Sequence, residues 1–138
     1  MKWWLTTHYP HRSQNHPWHV YIKEKYEDKA KEISEGDHVA FYELKGPKGN
    51  GRQGVIGFAR VSGPLIPNPR TDGLEERWEL QLECSEPEFG KPVHHRAVCS
   101  AINRKSNGPM RIASGLKELT EDQFNDLYGR FRARQESP

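Results

Sequence analysis

No stretch constrains the fold of this chain more than residues 36–63, GDHVAFYELKGPKGNGRQGVIGFARVSG. It reads as a β-hairpin with a first strand over 38–45, a loop over 46–53 rich in Gly, Pro and Asn, and a second strand over 54–62. In the first strand Val39, Phe41 and Glu43 point one way, while Ala40, Tyr42 and Leu44 point the other, so each face carries a large aromatic. In the second, Val55, Gly57, Ala59 and Val61 alternate with Ile56, Phe58 and Arg60. That strand is apolar on both sides for most of its length, as in a closed barrel. Gly57 leaves the backbone bare, which suits a tight barrel bend. The loop adds Lys45, Lys48 and Arg52, with no acid between residues 45 and 60.

The other segments supply more short strands. Residues 2–7 alternate so that Trp3 and Leu5 share one face and Trp4 and Thr6 the other, and both Trp side chains are expected in the core. Residues 8–19 are rich in His and Pro with Asn and Ser, and read as a loop carrying Trp18. Residues 24–34 place Tyr26, Ala30 and Ile33 at helical spacing, and Gly36 ends that helix. After a proline-rich crossing loop over 64–73, residues 75–84 form the cleanest alternation in the chain. Trp78, Leu80, Leu82 and Cys84 lie on one face there, and charged or amide residues on the other. Residues 87–92 read as a loop and residues 94–102 as a further strand. Residues 103–117 form a basic loop with a short strand at 110–113 at most. Thr120 opens the last helix through a capping box with Gln123, and Phe124, Leu127 and Phe131 form its buried stripe. The fold class expected is α+β, a small mixed β-barrel of five or six strands with two peripheral helices.

A chain of 138 residues suits a single domain, 1–138, and the charged ending RFRARQESP suggests a module of a longer protein. The core must lean on aromatics, since four Trp, five Tyr and five Phe accompany a hydrophobic content of only 33%. No apolar run is long enough for a membrane span and the N-terminus lacks a signal-peptide centre, so a soluble, cytoplasmic protein is expected. Cys84 and Cys99 are expected to be reduced. The net charge is only +2, but residues 1–23 and 91–117 carry cations without one acid. Such segregation lets a nearly neutral domain turn one positive face toward a polyanion.

Taken together, Trp18, Gly36-Asp37, Val39, Phe41-Tyr42, Val55-Ile56-Gly57, Ala59 and Val61 resemble the EVE domain. This is a branch of the PUA-like superfamily that also holds YTH and ASCH domains. Gly115-Leu116, Glu118-Leu119-Thr120 and Gln123-Phe124 resemble that family's last helix, so the resemblance spans nearly the whole chain. One departure is plain: the family carries Gly-Val-Arg-Asn after the loop Trp, whereas His19, Val20, Tyr21, Ile22 and Lys23 follow Trp18 here. The resemblance implies a PUA-like pseudo-barrel whose pocket reads a modified base, either flipped out of double-stranded DNA or taken from a single strand or RNA. Such domains sit at the N-terminus of modification-dependent HNH restriction endonucleases. The resemblance therefore implies a specificity module for methylated or hydroxymethylated cytosine, with the nuclease in cis.

An extruded base presents two flat faces and one polar edge, so its pocket needs aromatic walls and a few edge partners. The cage residues expected are Trp18, Tyr42 and Trp78, with edge contacts from Ser13, Asn15 or His16. Arg12, Lys45, Lys48, Arg52, Arg104, Lys105 and Arg111 are the expected phosphate contacts. No catalytic motif and no cofactor motif is present. The rivals are an RNA-binding module of the YTH or PUA kind and an ASCH-type hydrolase using Lys105 and Glu43. A zinc site built from Cys84, His94, His95 and Cys99 is the last, and it lacks chelating spacing.

Overall fold

In the computed structural model, which describes residues 1–15, 17–68, 76, 78–84, 89–105 and 107–137, the hairpin lies at the centre of a curled, mixed sheet. Its first strand, β3 (His38–Glu43), pairs in parallel with β1 (Trp3–His8) and antiparallel with β4 (Gly54–Val61). Beyond β4 come β6 (Trp78–Cys84) and then β2 (His19–Ile22), and β8 (Leu116–Leu119) flanks β1. The order β2-β6-β4-β3-β1-β8 describes a six-stranded half-barrel, to which β5 (Ile66–Pro67) and β7 (Val93–His94) add short pairings with β6 and β4. The helices are α1 (Pro10–Asn15), α2 (Glu27–Ala30) after a 3-10 turn at Glu24–Tyr26, α3 (His95–Ala101) and α4 (Glu121–Glu136). The architecture is the α+β half-barrel expected, with two helices more than the pattern indicates.

Both faces of the central strands are covered, which is why they read as nearly continuous apolar runs. On one face Trp4, Val39, Val61, Val20, Ile22, Leu80 and Leu116 close around Ala30 and Ile33 from the α2 segment. On the other, Leu5, Ala40, Tyr42 and Val55 pack under Val98, Cys99 and Ile102 of the α3 segment and under Phe124 and Leu127 of α4. The capping box that starts α4 is complete. Thr120 Oγ1 accepts from the Gln123 N–H at 3.1 Å, and Gln123 Oε1 accepts from the Thr120 N–H at 2.9 Å.

Asp37 sets the register. Gly36, at φ +90°, turns the chain from the α2 segment into β3. The buried Asp37 carboxylate then accepts from the Lys2 N–H (3.0 Å), the Trp4 indole (3.1 Å) and the Ser34 N–H (3.0 Å). The first two donors flank Trp3, which pairs with His38, so one side chain ties the start of β1 to the start of β3. Burial pushes this carboxyl up, but the donors outweigh it and hold Asp37 below the usual carboxylate range.

Several expectations need correction. Residues 94–102 form a helix from His95, not a strand: His95, Val98, Cys99 and Ile102 recur at i, i+3, i+4 and i+7 and face the core. Residues 10–15 are helical because Pro10 is tolerated in a first turn, and the Arg12 and Ser13 N–H groups donate to the Tyr9 carbonyl. Strand β2 lies where no strand was expected, and the basic segment ends in a strand at 116–119, not at 110–113. The helix read over 24–34 is only the 3-10 turn and α2. A bulge resets β4: Phe41 pairs with Gly57 but Tyr42 with Val55, so Val55 joins the Tyr42 face instead of sharing one with Gly57. Parts of the loops read at 64–73 and 87–92 lie outside the described residues. Both cysteines are free. No helix among the described residues is long and apolar enough to cross a membrane.

Asp37→Ala strands three donors, two of them at or just before the start of β1, and is expected to destabilise the fold by about 3–5 kcal/mol. Asp37→Asn, which keeps the shape and one acceptor, should cost less. Urea melts of the two variants and the parent, followed by tryptophan fluorescence, measure both.

Candidate nucleic-acid interface

Along the inner face of the half-barrel the side chains change character from one end to the other. β1 runs Trp4, Thr6, His8 and β3 runs Val39, Phe41, Glu43, so the apolar interior opens into an aromatic and then a polar mouth. His8 stacks on Phe41 with ring centroids 3.6 Å apart, and its Nε2 lies 2.8 Å from Thr6 Oγ1. Trp18 meets Phe41 edge-on at 5.5 Å and leans on Phe89 at 4.4 Å. Its ring occupies space that only a glycine leaves, since a Cβ on Gly57 would come within 2.5 Å of Trp18 Cη2. The Trp18 backbone is held at φ +65°, a left-handed conformation unusual for a bulky residue, and its carbonyl accepts from the Leu82 N–H at 3.2 Å. A half-buried indole is thus propped over the mouth.

Beside it, Glu43 is 1% exposed and fully engaged. It accepts from the Arg52 N–H (2.7 Å) and Arg52 Nε (3.0 Å) through Oε1, and from Arg52 Nη2 (3.2 Å) and the Ser13 hydroxyl through Oε2. Burial pushes the Glu43 carboxyl up, and the Arg52 and Ser13 donors more than reverse that. The Arg52 guanidinium sits 5.6 Å from the Phe89 ring centre. His8 has no such partner of opposite charge among the described residues, and desolvation holds its pKa down to about 3.

The expected site residues are only partly brought together. Trp18 is at the mouth and Asn15, at the end of α1, is exposed, but Ser13 is buried and committed to Glu43 and the Pro10 carbonyl. His16 lies outside the described residues. Tyr42 does not face Trp18: it points to the opposite side of β3, is 1% exposed, and donates its hydroxyl to His95 Nδ1 at 2.8 Å. His95 Nε2–H is occupied by the Gly108 (2.8 Å) and Asn107 (3.0 Å) carbonyls, which leaves Nδ1 as the acceptor. Burial pushes the Tyr42 phenol up. Phe41 takes the place expected of Tyr42, because strand alternation permits only one of the two on each face. Trp78 packs with Leu80 and Leu82 against the core, with its Nε1 buried and without a hydrogen-bond partner among the described residues.

Among the seven expected phosphate contacts, three are already engaged. Arg12 pairs with Glu76 and lies 5.2 Å over the Tyr21 ring. Arg52 pairs with Glu43, and Arg104 donates to the Gly108 (3.1 Å) and Pro109 (3.2 Å) carbonyls, shaping its own loop. Lys45, Lys48, Lys105 and Arg111 are exposed and make no ion pair with a described residue. Lys45 and Arg111 line a cavity of about 480 Å³ whose floor includes Thr7 and Tyr42. A neighbouring cavity of about 400 Å³ is lined by His8, His11, Arg12, His19, Tyr21, Lys23 and Glu76. Among the described residues no three His, Cys, Asp or Glu side chains form a group that could hold a metal ion.

The sequence reading missed His8, Glu43 as a polar anchor, Gly57 as a seat, and Phe89. His8 was findable by extending the alternation of β1 by one more step, and Glu43 already shares the face expected for Val39 and Phe41. Phe89 carries no local signal, since only the return of the chain brings it to Trp18.

No protein-family model matches the chain, and no curated protein matches it. Solved structures do share its fold. A hypothetical protein from Leishmania major is 12% identical with a TM-score of 0.65, over 99% of this chain and 98% of that one. A protein from Pseudomonas syringae is 12% identical with a TM-score of 0.64, over 92% and 97%. The YTH domain of Mmi1 in complex with RNA is 10% identical with a TM-score of 0.65, over 96% and 78%. The chain therefore shares its fold with these proteins, a YTH domain among them.

The depressed His8 pKa makes a pH prediction. Because the folded value lies below the unfolded value of 6.5, the unfolded chain takes up the proton first. The stability tied to His8 is complete above pH 6.5 and is lost as pH falls toward 3. The slope approaches about 1.4 kcal/mol per pH unit. His8→Phe should flatten that loss between pH 6.5 and 5, above the range in which Asp37 and Glu43 titrate. Urea melts of parent and variant across that interval measure the difference.

Proposed function

We propose that this chain is a non-catalytic reader of modified bases, of the EVE type, that stacks an extruded base on Trp18. The observation that carries the reading is the propped indole. A left-handed backbone and a glycine seat hold one large aromatic, half-buried, at the mouth of the half-barrel, on a domain whose exposed Lys45, Lys48, Lys105 and Arg111 make no ion pair with a described residue. Stacking contributes about 1–3 kcal/mol per base, which is close to the cost of unstacking it. Net affinity must then come from phosphates, and Lys45, Lys48, Lys105 and Arg111 are the groups available for them. Asn15 is the edge contact we assign. The acid and base candidates of the mouth are spent: His8 is neutral and Glu43 is held by Arg52 and Ser13, which argues against hydrolysis.

The ligand we favour is double-stranded DNA carrying methylated or hydroxymethylated cytosine, read by base flipping. The parent protein would be a modification-dependent restriction endonuclease with an HNH nuclease in cis. This rests on the EVE resemblance. A second reading, modified RNA, is favoured by the solved Mmi1 YTH domain, which shares the fold and is in complex with RNA.

Binding of unmodified, 5-methyl- and 5-hydroxymethylcytosine oligonucleotides, as duplex DNA and as RNA, tests both. Trp18→Ala should erase the preference for modified strands, by about tenfold or more, while leaving the salt dependence unchanged. Gly57→Ala should do the same by unseating Trp18. Lys45→Ala or Arg111→Ala should weaken all duplexes alike and reduce the log–log salt slope by about 0.9 for each phosphate that is no longer neutralised. Phe41→Ala, by contrast, should cost about 2–5 kcal/mol of stability. Affinity that does not change with salt would remove the nucleic-acid reading.

A further inference from the structure

Building on the base-reading role proposed above, we infer that Tyr9 and His11 form a second platform, which stacks the nucleotide adjacent to the one held at Trp18 while Lys45 and Arg111 take its phosphate. Tyr9 is 51% exposed and belongs to neither core cluster. Its position is nonetheless rigid: it follows the last residue of β1, and its carbonyl accepts from the Arg12 (2.9 Å) and Ser13 (3.1 Å) N–H groups that open α1. The ring lies nearly parallel to that of His11, tilted by 15° with centroids 6.1 Å apart.

Tyr9 borders three cavities at once. One holds Lys45 and Arg111, the next His19, Tyr21 and Lys23, and the third, of about 390 Å³, has among the described residues only His11 and Pro47 besides Tyr9. Among the described residues no acid lines the first or the third, and the acid in the second, Glu76, is paired with Arg12. A flat apolar ring kept in solvent beside Lys45 and Arg111 matches a nucleotide, whose base needs a face and whose phosphate needs positive charge. The other exposed aromatic, Tyr128, shares its groove with Glu83 and Arg60 and lacks this surplus of cations. The platform is linked to the first one through His8, which lines the second cavity together with Tyr9. Tyr9 follows His8, His8 stacks on Phe41, and Phe41 meets Trp18.

The test is a cycle between one side chain and one base. Single-stranded hexanucleotides carrying one central 5-methylcytosine, in DNA and RNA versions, are compared with versions abasic immediately 5′ or immediately 3′ of it. The intact chain should bind one of the two abasic strands about tenfold more weakly than the complete strand. Tyr9→Ala should bind the complete strand about as weakly and be indifferent to the missing base, with an unchanged salt slope. Tyr9→Trp should restore the penalty. Since Tyr9 is exposed, the variants should melt with the parent. If the intact chain ignores both abasic positions, or Tyr9→Ala keeps the penalty, the second platform is wrong while Trp18-dependent binding stands. If no hexanucleotide binds in a Trp18-dependent way, the second platform is wrong as well, and the base-reading role then stands or falls on the Trp18-dependent binding of the modified duplexes.

Discussion

The structure depends on one buried carboxylate. Parallel pairing of β1 with β3 joins segments some thirty-five residues apart without a tight turn to set their register, and the Asp37 hydrogen bonds to Lys2 and Trp4 supply that setting. A slip by one residue would move Trp4, Thr6 and His8 to the helix-covered face and bring Trp3 and Leu5 inside. The same carboxylate closes the α2 segment through Ser34. Three elements therefore meet at a group that is costly to bury unless all its donors are in place.

Once the register is set, the inner face follows from alternation alone. Its apolar end is the core, and its other end carries Thr6, His8 and Glu43, polar groups satisfied by one another's neighbours and roofed by aromatics. Such a mouth is stiff: Glu43 spends its oxygens on Arg52 and Ser13, and His8 stays neutral against Phe41. That stiffness suits a platform for binding, because groups already desolvated and paired do not need to reorganise when a base arrives. The left-handed Trp18 is a strained element of this mouth, where we propose that the base stacks.

Charge is distributed by the fold in a way that sequence blocks disguise. Arg12, Arg52 and Arg104 lie in the cation-rich segments, yet each spends its guanidinium on Glu76, Glu43 or nearby carbonyls. Lys45, Lys48, Lys105 and Arg111 are left to face solvent. A planar five-donor fork is readily consumed by structure, whereas the lysine ammonium, strongly hydrated on a flexible stem, stays available to phosphates. The Leishmania, Pseudomonas and Mmi1 structures share this fold at 10–12% identity, so the fold by itself does not carry the residues at the mouth.

By itself the sequence determined what short-range periodicity encodes. The hairpin, the two-sided apolar strands, the capping box of α4, the core role of Trp4 and the α+β barrel class were all legible, because alternation and capping act within a few residues. It also contained the inner-face series to which Phe41 and Glu43 belong. Tertiary structure alone decided the rest. Residues 94–102 satisfy strand and helix patterns equally, and only packing against α4 and β4 selects the helix. The bulge at Phe41/Tyr42 reversed the face of Val55, and which of the two aromatics meets Trp18 was decided by which side of β3 the helices cover. Phe89 on Trp18 and Glu76 on Arg12 are contacts between distant parts of the chain. Local pattern carries no information about them, because what selects them is the space left when all the elements close together.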